Sequence, residues 1–185
     1  MQLTDIEKKI LAGEEGEAKQ IAMEILTNIG EAMEADSFVE VSSVQAMAHF
    51  GSLHIAGRDW LEKLACMGGK CCVPTTQDPA SIPFKHWQEM GYDSEYAENQ
   101  YRLEAAIMKL GEMPKWSCTP YYQGSVPRAG QNIAWAESSA VSFANSVLGA
   151  RTNRTPAGLA VCAALTGKMP VSYTHLRAHE TLSDL

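Results

Sequence analysis

The chain has 185 residues, 45% of them hydrophobic and 20% charged, which is enough apolar material for one globular domain with a sizeable core and excludes a disordered or fibrous chain. Fifteen Lys and Arg against 22 Asp and Glu give a formal charge of −7 with no basic run, so a nucleic acid or an anionic membrane is excluded as a partner and a small molecule or another protein is favoured. The first residues lack a basic segment followed by an apolar one, and no apolar run is long enough to span a bilayer. A cytoplasmic protein is expected, whose five cysteines (Cys66, Cys71, Cys72, Cys118, Cys162) are reduced thiols or metal ligands rather than a disulfide framework.

Thr4 with Glu7 three residues later is a capping-box pattern that predicts a short helix, and Ala18, Ile21, Ala22, Ile25, Ile29 and Met33 recur at helical spacing after Gly16. Phe38 to Ser43 is β-prone and ends in hydroxyl residues. Gly57 to Met67 predicts a helix closed by Gly68-Gly69, and Lys70 to Val73 a short strand stopped by Pro74-Thr75-Thr76. Ser94 to Met113 carries Tyr96, Leu103, Ile107 and Leu110 on one face, a long amphipathic helix ended by Pro114. Trp116 to Tyr121 reads as a strand end or turn, Asn132 to Ala136 as a strand, and Ala140 to Leu148 as a helix introduced by Glu137-Ser138-Ser139. Thr155 before Pro156 has the form of an N-cap opening a last apolar helix that runs to Thr166. Alternating strands and helices predict an α/β layer with a largely parallel sheet, in which ligands sit beyond the carboxyl ends of the strands. Ser43, Thr75, Thr76, Cys118 and Glu137 to Ser139 fall at such ends.

Cys118, in a rigid turn among hydroxyls and aromatics, admits three readings. It is a small buried hydrophobe, an iron–sulfur ligand needing thiolate partners, or a nucleophile needing a base. Arg151-Thr152-Asn153-Arg154 sets two guanidinium forks around an amide, suited to gripping a carboxylate or phosphate, or to capping the preceding helix. Glu137-Ser138-Ser139 offers a carboxylate and helix N-terminal amides to an anion, or is a plain helix cap. Cys66, Cys71 and Cys72 have the spacing of no metal site, and Cys162 belongs to the core.

Taken together, Val73-Pro74-Thr75-Thr76, Cys118-Thr119-Pro120-Tyr121, Ile133 to Ala140 and Ala144 to Arg154 resemble the catalytic large subunit of the aconitase X family, and the match runs in order through residues 1–169. The resemblance implies part of an aconitase-like layered α/β domain and the dehydration of a hydroxy acid, with mevalonate 5-phosphate or cis-3-hydroxyproline as candidate substrates. It also implies an iron–sulfur cluster and a small swivelling subunit or fused domain. Cys118 becomes a cluster ligand, with the other ligands expected in a C-terminal part. Ser43, Thr75, Thr76, Ser138, Ser139, Arg151, Asn153 and Arg154 become the substrate-binding set, and the resemblance names no catalytic base. Many relatives carry Ser-x-His where this chain has Ser43-Val44-Gln45, so the role given to that histidine does not transfer. Two other classes stand beside the hydro-lyase: a non-catalytic anion-binding module on the same fold, and an enzyme using Cys118 as nucleophile.

Residues 170–185 resemble the conceptual translation of a sequencing-library adapter. They are expected to be an assembly artefact, with the native gene continuing from this point and this stretch inactive alone. His175 and His179, spaced i, i+4 like a metal-binding pair, are set aside with them.

Overall fold

The capping box forms as the sequence predicts. In the computed structural model, which describes residues 1–171, the Glu7 amide donates to Thr4 Oγ1 and the Thr4 amide donates to Glu7 Oε2 at the start of α1 (Asp5–Leu11). Helix α2 (Glu17–Ala32) buries Ala18, Ala22, Met23 and Leu26. Met33, expected on its apolar stripe, lies just past the last turn and is exposed.

The β-prone run from Phe38 to Ser43 divides between two sheets. Strand β1 is Ser37–Glu40 and β2 is Val44–Ala46. Between them the Val41 amide turns to Gly167 O and the Ser42 amide to Asn132 O, which carries the chain from one sheet to the other. Lys70 to Val73 forms no strand, because the Cys71 and Cys72 amides are taken by Leu110 O and Ala164 O in different helices. Strand β3 starts after Pro74, at Thr75–Gln77, and β4 is Ala134–Trp135. The order β3-β2-β4 is parallel throughout, with Gln45 opposite both Thr76 and Trp135. Strand β5 (Lys168–Val171) pairs antiparallel with β1, placing Pro170 opposite Phe38. The remainder of the adapter-like stretch, with His175 and His179, lies outside the described residues.

Helix α3 (Phe50–Cys66) begins seven residues before the predicted Gly57 and kinks at His54, where φ is +52°. Helix α4 (Ser94–Leu110) is capped by Asp93, whose carboxylate accepts from the Glu95 and Tyr96 amides, and ends at Gly111 rather than Pro114. The φ of +99° at Gly111 is open to glycine and strained for any other residue. Helix α5 (Ser138–Phe143) continues as a π-helical turn over Ala144–Leu148.

Helix α6 (Ala157–Thr166) is buried on all sides from Ala160 to Thr166, the property of a helix at the centre of a domain. It packs on α2 and on β2, while α3 and α4 pack together beside it. Thr155 does not cap α6; its hydroxyl donates to Asn153 O. None of these helices is long and apolar enough to cross a membrane.

Strand alternation sorts the parallel sheet into two faces. Val44, Ala46 and Ala134 point to the central core. Ser43, Gln45, Thr76, Asp78 and Trp135 share the opposite face, covered by the segment that follows α4.

Candidate active site

Gln45 is the hub of that polar face. Its side chain is fully buried, and Nε2 donates to Asp78 Oδ1 at 2.7 Å, with longer contacts of 3.4 Å to the carbonyls of Ser117 and Cys118. Its Oε1 accepts the Glu137 amide at 3.4 Å. One amide thus ties together the ends of β3 and β4 and the cysteine loop. A parallel sheet delivers three such ends to one place, because the neighbouring strands finish at the same edge.

Asp78 lies just past β3 and is 1% exposed, and its Oδ2 has no hydrogen-bond partner among the described residues. Burial, and then the charge of Glu137, raise its carboxyl to about 7, although the bond from Gln45 acts in the other direction. Asp78 is therefore an acid that gains and loses its proton near neutrality.

Cys118 sits beside it, exposed and in no disulfide. Partial burial and the charges of Asp78 and Glu137 push that thiol up from its ordinary value. A nucleophilic cysteine needs the opposite environment, a cation or a histidine that favours the thiolate. His49 bonds Ser81 and His86 bonds Glu89, and among the described residues no histidine hydrogen-bonds Cys118. The loop leading to Cys118 is pinned by Trp116, which adopts φ +45° and donates from Nε1 to Glu104 Oε1 at 2.7 Å. A non-glycine residue in that conformation costs about 1 kcal/mol or more, and its neighbours must hold it there.

The residues singled out from sequence fall into separate places. Ser43 and Thr76 are on the polar face, and Ser43 Oγ accepts from Trp135 Nε1 at 3.3 Å. Thr75 is on the other face with its hydroxyl donated to Val73 O. Ser138 and Ser139 are exposed in the first turn of α5. Arg151 and Asn153 line a different, small cavity of about 60 Å³ together with Val39, Val41 and Met169, and Arg154 is exposed. The loop that carries them is held by Asn145, whose side chain donates to Thr152 O at 2.8 Å and accepts the Thr152 amide at 3.1 Å. Sequence reasoning missed Gln45 as a participant and passed over Asp78. The signal was a polar residue at alternate positions on two neighbouring strands, 43 and 45 on one and 76 and 78 on the other.

Among the described residues no three or more His, Cys, Asp or Glu side chains are grouped to hold a metal ion. Cys118, a soft thiol exposed at the strand ends, fits as a single ligand and no more.

Comparison with known proteins places this architecture. The family model described as "Aconitase X first domain" matches residues 1–178. The phosphomevalonate dehydratase large subunit of Methanothermobacter thermautotrophicus is 41% identical over 172 residues, covering 92% of this chain and 43% of that protein. The cis-3-hydroxy-L-proline dehydratase of Pseudomonas aeruginosa is 36% identical over 176 residues, covering 94% of this chain and 30% of that one. The crystal structure of Thermococcus kodakaraensis aconitase X in its holo-form superposes with a TM-score of 0.82 at 42% identity, over 92% of this chain and 42% of that chain. The chain thus spans less than half the length of these relatives. On the family model, the identity and the shared α/β fold, the chain belongs to the aconitase X family.

Proposed function

We propose that the chain is the N-terminal part of the catalytic subunit of a hydro-lyase that dehydrates a small anionic hydroxy acid, with mevalonate 5-phosphate and cis-3-hydroxy-L-proline as the candidate substrates. The observation that carries the reading is the buried Asp78, oriented by Gln45 beside Cys118 at the ends of the parallel strands. Eliminating water requires a group to take a proton from carbon and a group to give one to the departing hydroxyl. Asp78 Oδ2 would hold the proton, Gln45 Nε2 holds the other carboxyl oxygen in place, and the Glu137 charge helps keep that proton on near neutrality.

Cys118 would hold an iron–sulfur cluster as one of its ligands, the others coming from sequence that the relatives carry beyond the matched stretch. Such a cluster supplies an iron with an open position to act as Lewis acid on the hydroxyl. Of the residues suggested by the sequence, Ser43 and Thr76 share the polar face with Asp78 and remain proposed substrate contacts, with Ser138, Ser139, Arg151, Asn153 and Arg154 as further candidates in separate places. Thr75, whose hydroxyl is donated to Val73 O on the other face, is not retained. A small subunit or fused domain, as the name "large subunit" of the relatives implies for those proteins, would complete the enzyme in the cytoplasm. The cysteine-nucleophile reading has no support in a thiol whose neighbours are carboxylates.

The test is turnover. The full-length large subunit, purified anaerobically with its small subunit, is offered mevalonate 5-phosphate and cis-3-hydroxy-L-proline, and product is followed by the absorbance of the new double bond. Dehydration of one of them is expected, with none by the 185-residue chain alone. Failure of the complete, iron-loaded enzyme on both refutes the substrate assignment, and turnover by the 185-residue chain refutes the need for the missing ligands.

A further inference from the structure

Leu103, Ile107 and Leu110 are the apolar residues that α4 buries, yet Gln100 and Glu104, one turn apart, are buried with them. A carboxylate taken out of water is costly unless donors meet it, and both oxygens of Glu104 are met. Oε2 accepts from Gln100 Nε2 at 3.2 Å and Oε1 from Trp116 Nε1 at 2.7 Å. Gln100 is itself fixed, because its Oε1 accepts the Phe50 amide at 2.9 Å and the Ser81 amide at 3.3 Å, from two different segments. Glu104 is thus held from one side by Gln100, and on the other side it holds Trp116.

Trp116 has two reasons to leave its place. Its φ of +45° is strained for so large a residue, and its indole is 43% exposed, with the Phe84 ring as an aromatic neighbour at 5.4 Å between centroids. Packing that open does not hold a strained residue, whereas a hydrogen bond to a fixed carboxylate does. The turn at Trp116 is what returns the chain to the sheet. The Ser117 amide donates to Gln77 O at 3.3 Å, and the Ser117 and Cys118 carbonyls each lie 3.4 Å from Gln45 Nε2. The Thr119 amide then closes the loop on Ser117 Oγ at 3.1 Å. The contacts of Ser117 and Cys118 with the sheet are long, and the Trp116 bond is short.

We propose that Glu104 is a positioning residue of the candidate site: held by Gln100, it fixes Trp116 at its positive φ and so sets where Cys118 stands beside Asp78 and Gln45. The buried polar pair on α4, rather than the cysteine loop itself, decides how the thiol is presented. Glu104 acts through Trp116 and touches none of the reacting groups. The consequence for iron rests on the reading of Cys118 as a ligand, and the placement of the loop does not.

The experiment compares the complete large subunit, purified anaerobically with its small subunit, with its Glu104→Leu, Trp116→Phe and Glu104→Gln variants and with the Glu104→Leu, Trp116→Phe double variant. Leucine removes the acceptor, and phenylalanine removes the donor while keeping a ring against Phe84. Glutamine keeps an oxygen for Trp116 and gives up only the bond from Gln100. Amide hydrogen exchange, read by mass spectrometry on the peptide over residues 115–121, should be about tenfold faster or more in Glu104→Leu and in Trp116→Phe. It should be no faster in the double variant and close to wild type in Glu104→Gln, with the amides of residues 160–166 in α6 unchanged throughout. Loss of iron to a chelator should accelerate several-fold in the same three variants. Unchanged exchange over residues 115–121 in Glu104→Leu, additive effects in the double variant, or an equal gain in α6 overturns the proposal. Should Glu104→Leu not fold, Trp116→Phe, at a half-exposed position, decides by the same criteria. A loosened loop with iron loss unchanged refutes Cys118 as a ligand and leaves its placement by Glu104 standing. Faster iron loss with exchange unchanged over residues 115–121 does the reverse.

Discussion

Replacing Glu112 by Met should make the protein more stable at neutral pH, and by an amount that depends on pH. Glu112 follows α4 directly and is 4% exposed, and neither of its carboxyl oxygens has a hydrogen-bond partner among the described residues. Burial, and then the nearby charge of Glu104, raise its carboxyl from 4.5 to about 8. The folded protein therefore keeps a proton that the unfolded chain releases. Stability from this group is complete below pH 4.5 and is lost as pH rises toward 8, at a slope of about 1.4 kcal/mol per pH unit. Between pH 4.5 and 7 the loss comes to about 3 kcal/mol. Methionine has similar length and nothing to titrate, so Glu112→Met removes this dependence. Urea unfolding of both proteins at several pH values between 4.5 and 7.5 gives the difference directly, and groups not coupled to Glu112, such as Asp78, drop out of it. The variant's advantage should grow by about 3 kcal/mol between pH 4.5 and 7. A difference that stays constant with pH refutes the buried, unpaired carboxyl.

Thr4→Ala removes the acceptor for the Glu7 amide and should lower stability by about 1 kcal/mol, read from the urea midpoint, with helix content lost only from α1. Gly111→Ala should cost about 1 kcal/mol although no atom stands within 4 Å of the new methyl, because the cost is purely that of a residue forced to φ +99°. Iodoacetamide should alkylate Cys118 at pH 7 more slowly than glutathione under the same conditions, with the rate still rising at pH 9, since its thiol is pushed upward by burial and by two carboxylates. A fast, pH-independent reaction at neutrality would restore the nucleophile reading.

Local signals carried most of the helices. The capping box at Thr4, the stripe on Ser94 to Leu110 and the apolar run in α6 are each set by residues within a few positions of one another, and each formed. What the local pattern does not contain is the division of Phe38 to Ser43. That break exists because the Val41 and Ser42 amides find acceptors 126 and 90 residues away, at Gly167 and Asn132. The candidate site shows the same limit. Cys118 and Ser43 stand out as chemical types in turns, but Gln45 and Asp78 are ordinary polar residues until the sheet sets β2 beside β3 and the loop from Glu112 to Cys118 buries them. Arg151 and Arg154 read as one grip with Ser43 and Thr76 because all are suited to anions. Their separation follows from the Ile133 and Arg151 backbone hydrogen bonds, which seat the Arg151 loop beside the start of β4 rather than over the polar face.

The measurement that bears most directly on Asp78 as the proton-carrying group is kcat of Asp78→Asn in the complete enzyme. Asparagine keeps the shape and can still accept the Gln45 hydrogen bond, but it cannot carry the proton at Oδ2. A fall in kcat of about 100-fold or more, with KM and melting temperature little changed, is the predicted result. An Asp78→Asn enzyme that dehydrates its hydroxy acid at the wild-type rate would contradict the account.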